Sequence, residues 1–284
     1  MPILTPEDHA FFKANGYLLV RNVVPKENCD AVIAMIWDYL GMDPNDPEDW
    51  YRPPLKPGGM IEIYQHQTMW NNRQYPRLHQ VFAELIGTEK LWVTMDRINM
   101  KPPHHPAHPE YDHKGFVHWD VDTSNRDIPF WVQGVLYLAD TDAEMGGFQC
   151  VPGFHGRTLE EWIKTQPADR NPRVPDLNSL PPGMKLTPVP GKAGDLVIWD
   201  RLLAHGNGHN TSNKPRFAQY IAMFPAREEN EEERQERIAC WRERRPPKAP
   251  YFYGDPREPE FSRLAELTPL GRKLLGLDRW EETA

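Results

Sequence analysis

The chain has 284 residues, of which 39% are hydrophobic, so it is long enough to bury a substantial core as one large domain. Its formal net charge of −8 argues against a nucleic-acid surface or a basic membrane-binding face. The three cysteines are widely separated and include no C-x-x-C pair, which argues against a disulfide framework. The sequence shows neither a signal-like apolar N-terminal segment nor a long uncharged stretch, and we therefore expect a soluble, cytoplasmic protein.

The N-terminal part, about residues 1–90, is predicted to be largely helical. A short helix should follow Thr5, which suits an N-cap and precedes a proline and two acidic residues. Residues 17–24, YLLVRNVV, then predict a strand. Apolar residues recur at helical spacing over residues 27–40 and again near residues 77–86, which predicts two amphipathic helices.

After Gly87 the pattern changes to successive strands separated by turn residues. The strand-like stretches are LWVTMDRINMK, GFVHWDV, FWVQGVLYLAD, GGFQCVP, DLVIWD and RFAQYIAMF. Strands without alternating helices predict an antiparallel sandwich or barrel, over about residues 91–225. A Pro-rich interruption at about 159–183 suits a lid, and a charged helical tail is expected over about 226–284. We expect a single domain spanning residues 1–284.

The stretch GFVHWDVD places His118 and Asp120 two residues apart in a predicted strand. Side chains at positions i and i+2 of a strand point to the same face, so these two would meet the same surroundings. A lone His-x-Asp pair is most often exposed to water, and that alternative holds unless other residues join the pair. A third donor would make it a metal site with open coordination positions.

His205 is the best candidate for that third ligand. It closes the run AGDLVIWDRLLAHGNG, in which the glycines after the histidine let the chain approach another backbone closely. The alternative is a histidine of the Pro-rich loop that contains His104, His105, His108 and His113. Arg216 follows eleven residues after His205 at the start of an alternating strand, where an inward guanidinium requires a carboxylate or phosphate partner.

The ordered set of His118-x-Asp120, His205 and Arg216 resembles the iron(II)- and 2-oxoglutarate-dependent dioxygenases, specifically the phytanoyl-CoA dioxygenase family. The fragments ANGYLLVRNVV, NMKPP, GGFQCVPGFHG and GDLVIWDRLLAHG are similar to that family's motifs. The resemblance implies a mainly β fold with flanking helices, a double-stranded β-helix of the jelly-roll, cupin-like type. It also implies that His118, Asp120 and His205 bind iron(II) as a facial triad.

The same resemblance implies how the co-substrate binds. Arg216 would bind the C5-carboxylate of 2-oxoglutarate, and Gln133 would contact the co-substrate. Asn207, at a position where the family often has serine, would also contact it, and Arg97 is expected to line the same cavity together with Asn99. Dioxygen would be the other co-substrate, ascorbate is expected to help, and succinate and carbon dioxide would be released.

We therefore expect a hydroxylase of a small organic metabolite, with no nucleic-acid or membrane partner and with monomer and homodimer both open. Two alternatives are a non-catalytic jelly-roll binding protein, which would be expected to lack one of the four residues, and a metalloenzyme that does not use 2-oxoglutarate, which Arg216 disfavours. An apolar or ring-containing substrate is suggested by aromatic residues near the predicted mouth, namely Trp119, Phe130, Trp131 and Phe154.

Overall fold

The computed structural model describes residues 2–125 and 127–280. Its α-helices are α1 (Pro6–Asn15), α2 (Lys26–Leu40), α3 (Gln67–Arg73), α4 (Pro76–Ile86), α5 (Gly156–Ile163), α6 (Glu231–Glu243), α7 (Glu258–Phe261) and α8 (Pro269–Leu275). Its strands are β1 (Tyr17–Val20), β2 (Met60–Ile61), β3 (Leu91–Val93), β4 (Ile98–Lys101), β5 (Val132–Tyr137), β6 (Phe148–Cys150), β7 (Thr187–Pro188), β8 (Leu196–Asp200), β9 (His205–Asn207), β10 (Arg216–Tyr220) and β11 (Met223–Pro225).

The N-terminal elements begin and end where capping and turn residues stand. At the start of α1 the backbone N–H of Asp8 donates to the Thr5 hydroxyl (3.1 Å), and the backbone N–H of Thr5 donates to the Asp8 carboxylate (2.9 Å), which completes a capping box. Helices α1, α2 and α4 confirm the predicted helices, whereas α3 was not predicted. Strand β1 is shorter than expected because the N–H groups of Val23 and Val24 both donate to the Gly194 carbonyl in a turn.

Two facing antiparallel sheets give the molecule a jelly-roll-like core. The larger sheet has six strands in the order β1-β8-β5-β10-β4-β2, and the smaller has three in the order β7-β6-β9. Strands β3 and β11 pair separately. The predicted jelly roll is confirmed, within a mixed α/β fold.

The larger sheet is buried on both faces. Val135 and Tyr137 of β5 belong to a cluster with Phe148 and Cys150 of the smaller sheet. Leu136 points to the opposite face, since successive strand residues alternate, and it belongs to the core cluster that holds the buried residues of α2 and α4. Burial on both faces accounts for the consecutive apolar residues of β5 and β8, which a half-exposed strand would not show.

Residues 115–121 do not form the predicted strand. Only His118 pairs with β9, through an N–H that donates to the His205 carbonyl (2.8 Å) and a carbonyl that accepts from the His205 N–H (3.1 Å). The next N–H, that of Trp119, donates instead to the Arg173 carbonyl (2.8 Å). The chain leaves the small sheet after one pair because the Pro-rich segment around residues 172–173 takes the following backbone hydrogen bonds.

The charged tail packs on the rest of the fold through a buried arginine of α6. The Arg237 guanidinium donates to the carbonyl of Val93 in β3 (2.7 Å) and to the carbonyls of Leu274 (3.0 Å) and Leu275 (2.9 Å) in α8. These carbonyls accept hydrogen bonds from the buried guanidinium, and the contacts join three elements. Among the described residues, no helix is long and apolar enough to cross a bilayer.

Gly206 should be required for the close approach of the two chain segments at His118. A Cβ atom at Gly206 would overlap the carbonyl oxygen of Phe116, a backbone atom that cannot rotate away. We therefore expect Gly206→Ala to lower the free energy of unfolding by about 1–3 kcal/mol, as overpacking of a core typically does. The matched control is Gly208→Ala, because the nearest atom to its added Cβ is the flexible Gln149 Oε1 at 3.4 Å. Urea unfolding of both variants measures the difference, and equal stability would contradict this role of Gly206.

Candidate active site

Two histidines and an aspartate converge where the segment of residues 115–121 meets β9. His118 Nε2 lies 3.2 Å from Asp120 Oδ1, and His205 Nε2 lies 3.5 Å from Asp120 Oδ2. One potential ligand atom from each residue lies within 4.8 Å of the others. The structure therefore brings together the three residues that the sequence singled out, although His118 is bridged to β9 and Asp120 follows in a bend.

The His205 imidazole is oriented by a backbone carbonyl, and the His118 imidazole by an aromatic ring. His205 Nδ1 lies 2.9 Å from the Leu203 carbonyl, which can only accept, so Nδ1 carries a proton and Nε2 is the nitrogen directed at Asp120. A histidine that donates from one nitrogen to a carbonyl is typical of metal sites, where the other nitrogen is the ligand. The His118 ring stacks on the exposed ring of Phe116, with their centroids 4.5 Å apart.

Asp120 is held by donors on both of its carboxylate oxygens and on its backbone. Gln133 Nε2 donates to Oδ2 (2.6 Å), and Arg173 Nη1 donates to the main-chain carbonyl (2.7 Å). Desolvation raises the pKa of this carboxyl, but the hydrogen bonds from His118 and His205, the charge of His205 and the hydrogen bond from Gln133 outweigh it. The pKa of Asp120 is thus held well below its ordinary value, and the side chain is a carboxylate at neutral pH.

A buried arginine lies on β10, next to the end of β9. Arg216 is fully buried, its Nη1 donates to Asn99 Oδ1 (2.8 Å), and its Nη2 donates to Asn207 Oδ1 (2.9 Å). Its Nε has no hydrogen-bond partner, and no carboxylate of the described residues lies within ion-pair distance of the guanidinium. Two amide oxygens orient the charge without neutralising it, and an uncompensated buried charge is unfavourable.

Lys101 adds a second buried cation beside Arg216. The two residues are direct partners in the β4–β10 ladder, and Lys101 is only 3% exposed. Its ammonium group donates to the Gly208 carbonyl. Burial, together with the neighbouring charge of Arg216, lowers the pKa of Lys101 to about 8. A site with two buried cations attracts an anion.

Comparison with known proteins gives the chain a family. Residues 12–218 match the profile of Phytanoyl-CoA dioxygenase (PhyH). An ectoine dioxygenase from Bordetella bronchiseptica is 30% identical, over 75% of this chain and 73% of that protein. The chain belongs to the phytanoyl-CoA dioxygenase family. The predicted family membership and enzyme class, that of the 2-oxoglutarate-dependent non-haem iron dioxygenases, are confirmed.

Solved structures agree in fold. GlcNAc Inducible Gene 2 (GIG2) from Candida albicans superposes with a TM-score of 0.75 and 14% identity, over 98% of this chain and 78% of that one. HygX from Streptomyces hygroscopicus, solved with nickel and 2-oxoglutarate bound, gives a TM-score of 0.56 and 16% identity, over 80% of this chain and 89% of that one. The cofactors of this dioxygenase are iron and 2-oxoglutarate, as in its family.

The other residues predicted for the dioxygenase site lie in different surroundings. Asn207 contacts Arg216 and also donates from Nδ2 to the Tyr220 hydroxyl (3.1 Å), whereas Gln133 contacts the Asp120 carboxylate. Arg97 makes no hydrogen bond or ion pair with the three clustered residues or with Arg216. Its guanidinium forms ion pairs with Glu62 (3.3 Å) and Asp96 (3.3 Å), and these two carboxylates supply its counter-charge.

The aromatic residues predicted near the mouth divide into two groups. Trp119 and Phe154 are buried, and both pack against Trp162 of α5. They therefore support the wall behind the site instead of facing a substrate. Phe130 is 55% exposed, and Phe116, which was not predicted, is equally exposed beside His118.

Two further residues at the site were missed from the sequence. Lys101 lies in the fragment NMKPP, two residues after Asn99 in β4. The two side chains therefore share one face of the strand, and this pattern could have predicted that Lys101 lies near the site. Arg173 lies in the Pro-rich segment, 53 residues from Asp120, and no local pattern connects the two.

The Lys101 amine should titrate near pH 8, well below the ordinary value of about 10.4. Arg216→Met should raise this pKa, because it removes one of the two causes of the lowering. NMR titration of isotopically labelled lysine measures it, with Lys101→Arg to assign the resonance and the exposed Arg157→Met as the control. A Lys101 pKa that is unchanged in Arg216→Met would show that the guanidinium does not act on it.

Proposed function

We propose that His118, Asp120 and His205 bind the iron, that Arg216 binds the distal carboxylate of 2-oxoglutarate, and that the enzyme hydroxylates a small organic metabolite. Succinate and carbon dioxide are the accompanying products. One observation supports this most strongly: a cluster of two histidines and one carboxylate lies in the same fold as a buried arginine without a carboxylate partner.

The donor set suits iron(II). Two imidazole nitrogens and one carboxylate oxygen are the ligands of the facial triad, which leaves adjacent positions open. His205 presents Nε2 because its Nδ1–H is engaged, and Asp120 is ionised, so the carboxylate is already in its metal-binding form. When bound, iron(II) and 2-oxoglutarate supply the activation of dioxygen coupled to oxidative decarboxylation of the co-substrate.

Arg216 is suited to a carboxylate ligand. A guanidinium forms two parallel hydrogen bonds with a carboxylate, and the amides of Asn99 and Asn207 fix its plane. Lys101 contributes a second positive charge below about pH 8. The dicarboxylate of 2-oxoglutarate would supply the counter-charge that the described residues lack.

The substrate is proposed to enter a cavity of about 220 Å³ that opens beside Asp120. Val121, Ile128 and Pro129 give this cavity an apolar patch. The rest of its lining is polar and consists of Asp120, Asp122, Asn125, Asp127, Arg173 and Arg201. The cavity size fits a small metabolite. The name of the Bordetella relative, ectoine dioxygenase, supports a dioxygenase of this general kind.

Loss of either histidine should abolish iron binding. We expect His118→Ala and His205→Ala each to weaken iron(II) affinity by more than the roughly 10–100-fold that loss of an outer-shell partner costs. Iron analysis after gel filtration measures it, and His105→Ala, in the Pro-rich loop, is the matched control. Full iron occupancy in both His118→Ala and His205→Ala would exclude this site.

Arg216→Ala should retain iron but bind 2-oxoglutarate far more weakly. Leaving one partner of a desolvated charge pair without the other costs about 3–5 kcal/mol, which corresponds to roughly two to three decades in affinity. Arg216→Lys should fall between Ala and the parent, because an ammonium cannot form the parallel pair of hydrogen bonds.

Calorimetric titration of the iron-loaded proteins with 2-oxoglutarate, in the absence of oxygen, gives the three affinities. Slow succinate formation in air without substrate provides a second readout. Unchanged affinity in a folded, iron-loaded Arg216→Ala protein would show that another residue binds the carboxylate.

A further inference from the structure

A second cluster of two histidines and one aspartate lies apart from the proposed iron ligands. His209 Nε2 is 2.5 Å from Asp112 Oδ1, and His104 Nδ1 is 3.2 Å from the same oxygen. The potential ligand atoms of the three residues lie within 4.8 Å of one another. Two imidazoles and a carboxylate thus converge on one point.

The surrounding backbone holds these residues in place. The His104 N–H donates to the Asn210 carbonyl (2.8 Å), which joins the Pro-rich loop to the chain after β9. The buried Tyr111 hydroxyl donates to the Leu55 carbonyl (3.2 Å) just before Asp112. The cluster is therefore assembled by folding and is not a set of freely moving surface side chains.

Asp112 lacks a permanent cationic partner. Its side chain is only 9% exposed, and among the described residues no lysine or arginine lies within ion-pair distance of it. The imidazoles of His209 and His104 both face this carboxylate. The carboxylate and the two imidazoles together offer three ligand atoms for a metal cation.

The chain segment itself also indicates a metal. HHPAHPEYDH, residues 104–113, is a His-rich tract, and such tracts are often metal-binding. Two nitrogen donors and one oxygen donor suit zinc, which takes histidine and aspartate in four-coordinate sites. Magnesium and calcium prefer oxygen ligands alone.

We propose that His104, Asp112 and His209 form a binding site for a zinc ion, with water at the fourth position. The ion joins the loop before His118 to the chain after His205, and it stabilises the approach of both segments to the active site.

A neighbouring cluster on the same tract is less suited to the ion. Glu48, His105 and His108 also place their ligand atoms close together. The Glu48 side chain is 69% exposed, however, compared with 9% for Asp112. Ordering an exposed glutamate costs side-chain entropy, and water competes for its carboxylate.

The experiment measures zinc retained by the full-length, iron-loaded protein after incubation with zinc chloride and gel filtration. We expect one zinc per chain besides the iron, and retention of that zinc in His118→Ala, which lacks an iron ligand. His104→Gln, Asp112→Asn and His209→Gln should each lose it, whereas the matched control His105→Gln should keep it. Zinc should raise the melting temperature of the parent and of His105→Gln, but not of His209→Gln.

Circular dichroism and iron content establish that each variant is folded, and His104, with 43% of its side chain exposed, is the substitution least able to disturb the fold. Zinc retained in all three ligand variants would overturn the proposal. So would a parent protein that keeps no zinc through gel filtration, or loss of zinc in His105→Gln alone, which would assign the ion to the neighbouring cluster.

Discussion

The geometry of the active site depends on a single backbone pair, the one between His118 and His205. Two hydrogen bonds of this kind contribute only about 0.5–1.5 kcal/mol each, so they cannot by themselves hold residues 115–121 against the small sheet. Further contacts keep residues 115–121 close to the small sheet. Gly206 leaves room for the Phe116 carbonyl, and the buried Trp119 both packs against Phe154 and donates from its ring to the Leu202 carbonyl (2.9 Å). The imidazoles can face one carboxylate only because these contacts act together.

The sequence predicted most reliably those structural elements that are determined by residues close together in the chain. Helix α1 follows from its own capping residues, and α2 and α4 follow from apolar periodicity. The family resemblance carried by His118, Asp120, His205 and Arg216 predicted one shared site, and the structure brings the first three of these residues together. The strand predicted around His118 did not form, because the partner of Trp119 is the backbone of Arg173 in a loop that no periodic pattern describes. Arg97 was expected to line the cavity, but it pairs with Glu62. Glu62 directly follows β2, which pairs with β4, the strand that begins just after Arg97, and that pairing cannot be deduced from residues 97–100 alone.

Charge is distributed differently around Arg216 and around Arg97. Arg97 has carboxylates on Glu62 and Asp96, so its charge is balanced within the protein. Arg216 has only amide oxygens, from Asn99 and Asn207, which fix its orientation but leave its charge for a ligand. An aspartate at position 207 would form a buried ion pair and compete with an incoming carboxylate. The asparagine, found where the family often has serine, is therefore compatible with a site that must bind and release an anion.

The two His–His–Asp clusters show that a donor set alone does not determine chemistry. Both offer two imidazole nitrogens and a carboxylate oxygen, and both join the same two stretches of chain. A cavity of about 220 Å³ opens beside Asp120, and we propose that the buried cations Lys101 and Arg216 bind an anionic co-substrate. The imidazoles beside Asp112 are partly open to solvent, with 43% of the His104 side chain and 31% of the His209 side chain exposed. A metal held there could order the chain but would have no co-substrate with which to activate oxygen. The surroundings of the two clusters thus separate a catalytic role from a structural one.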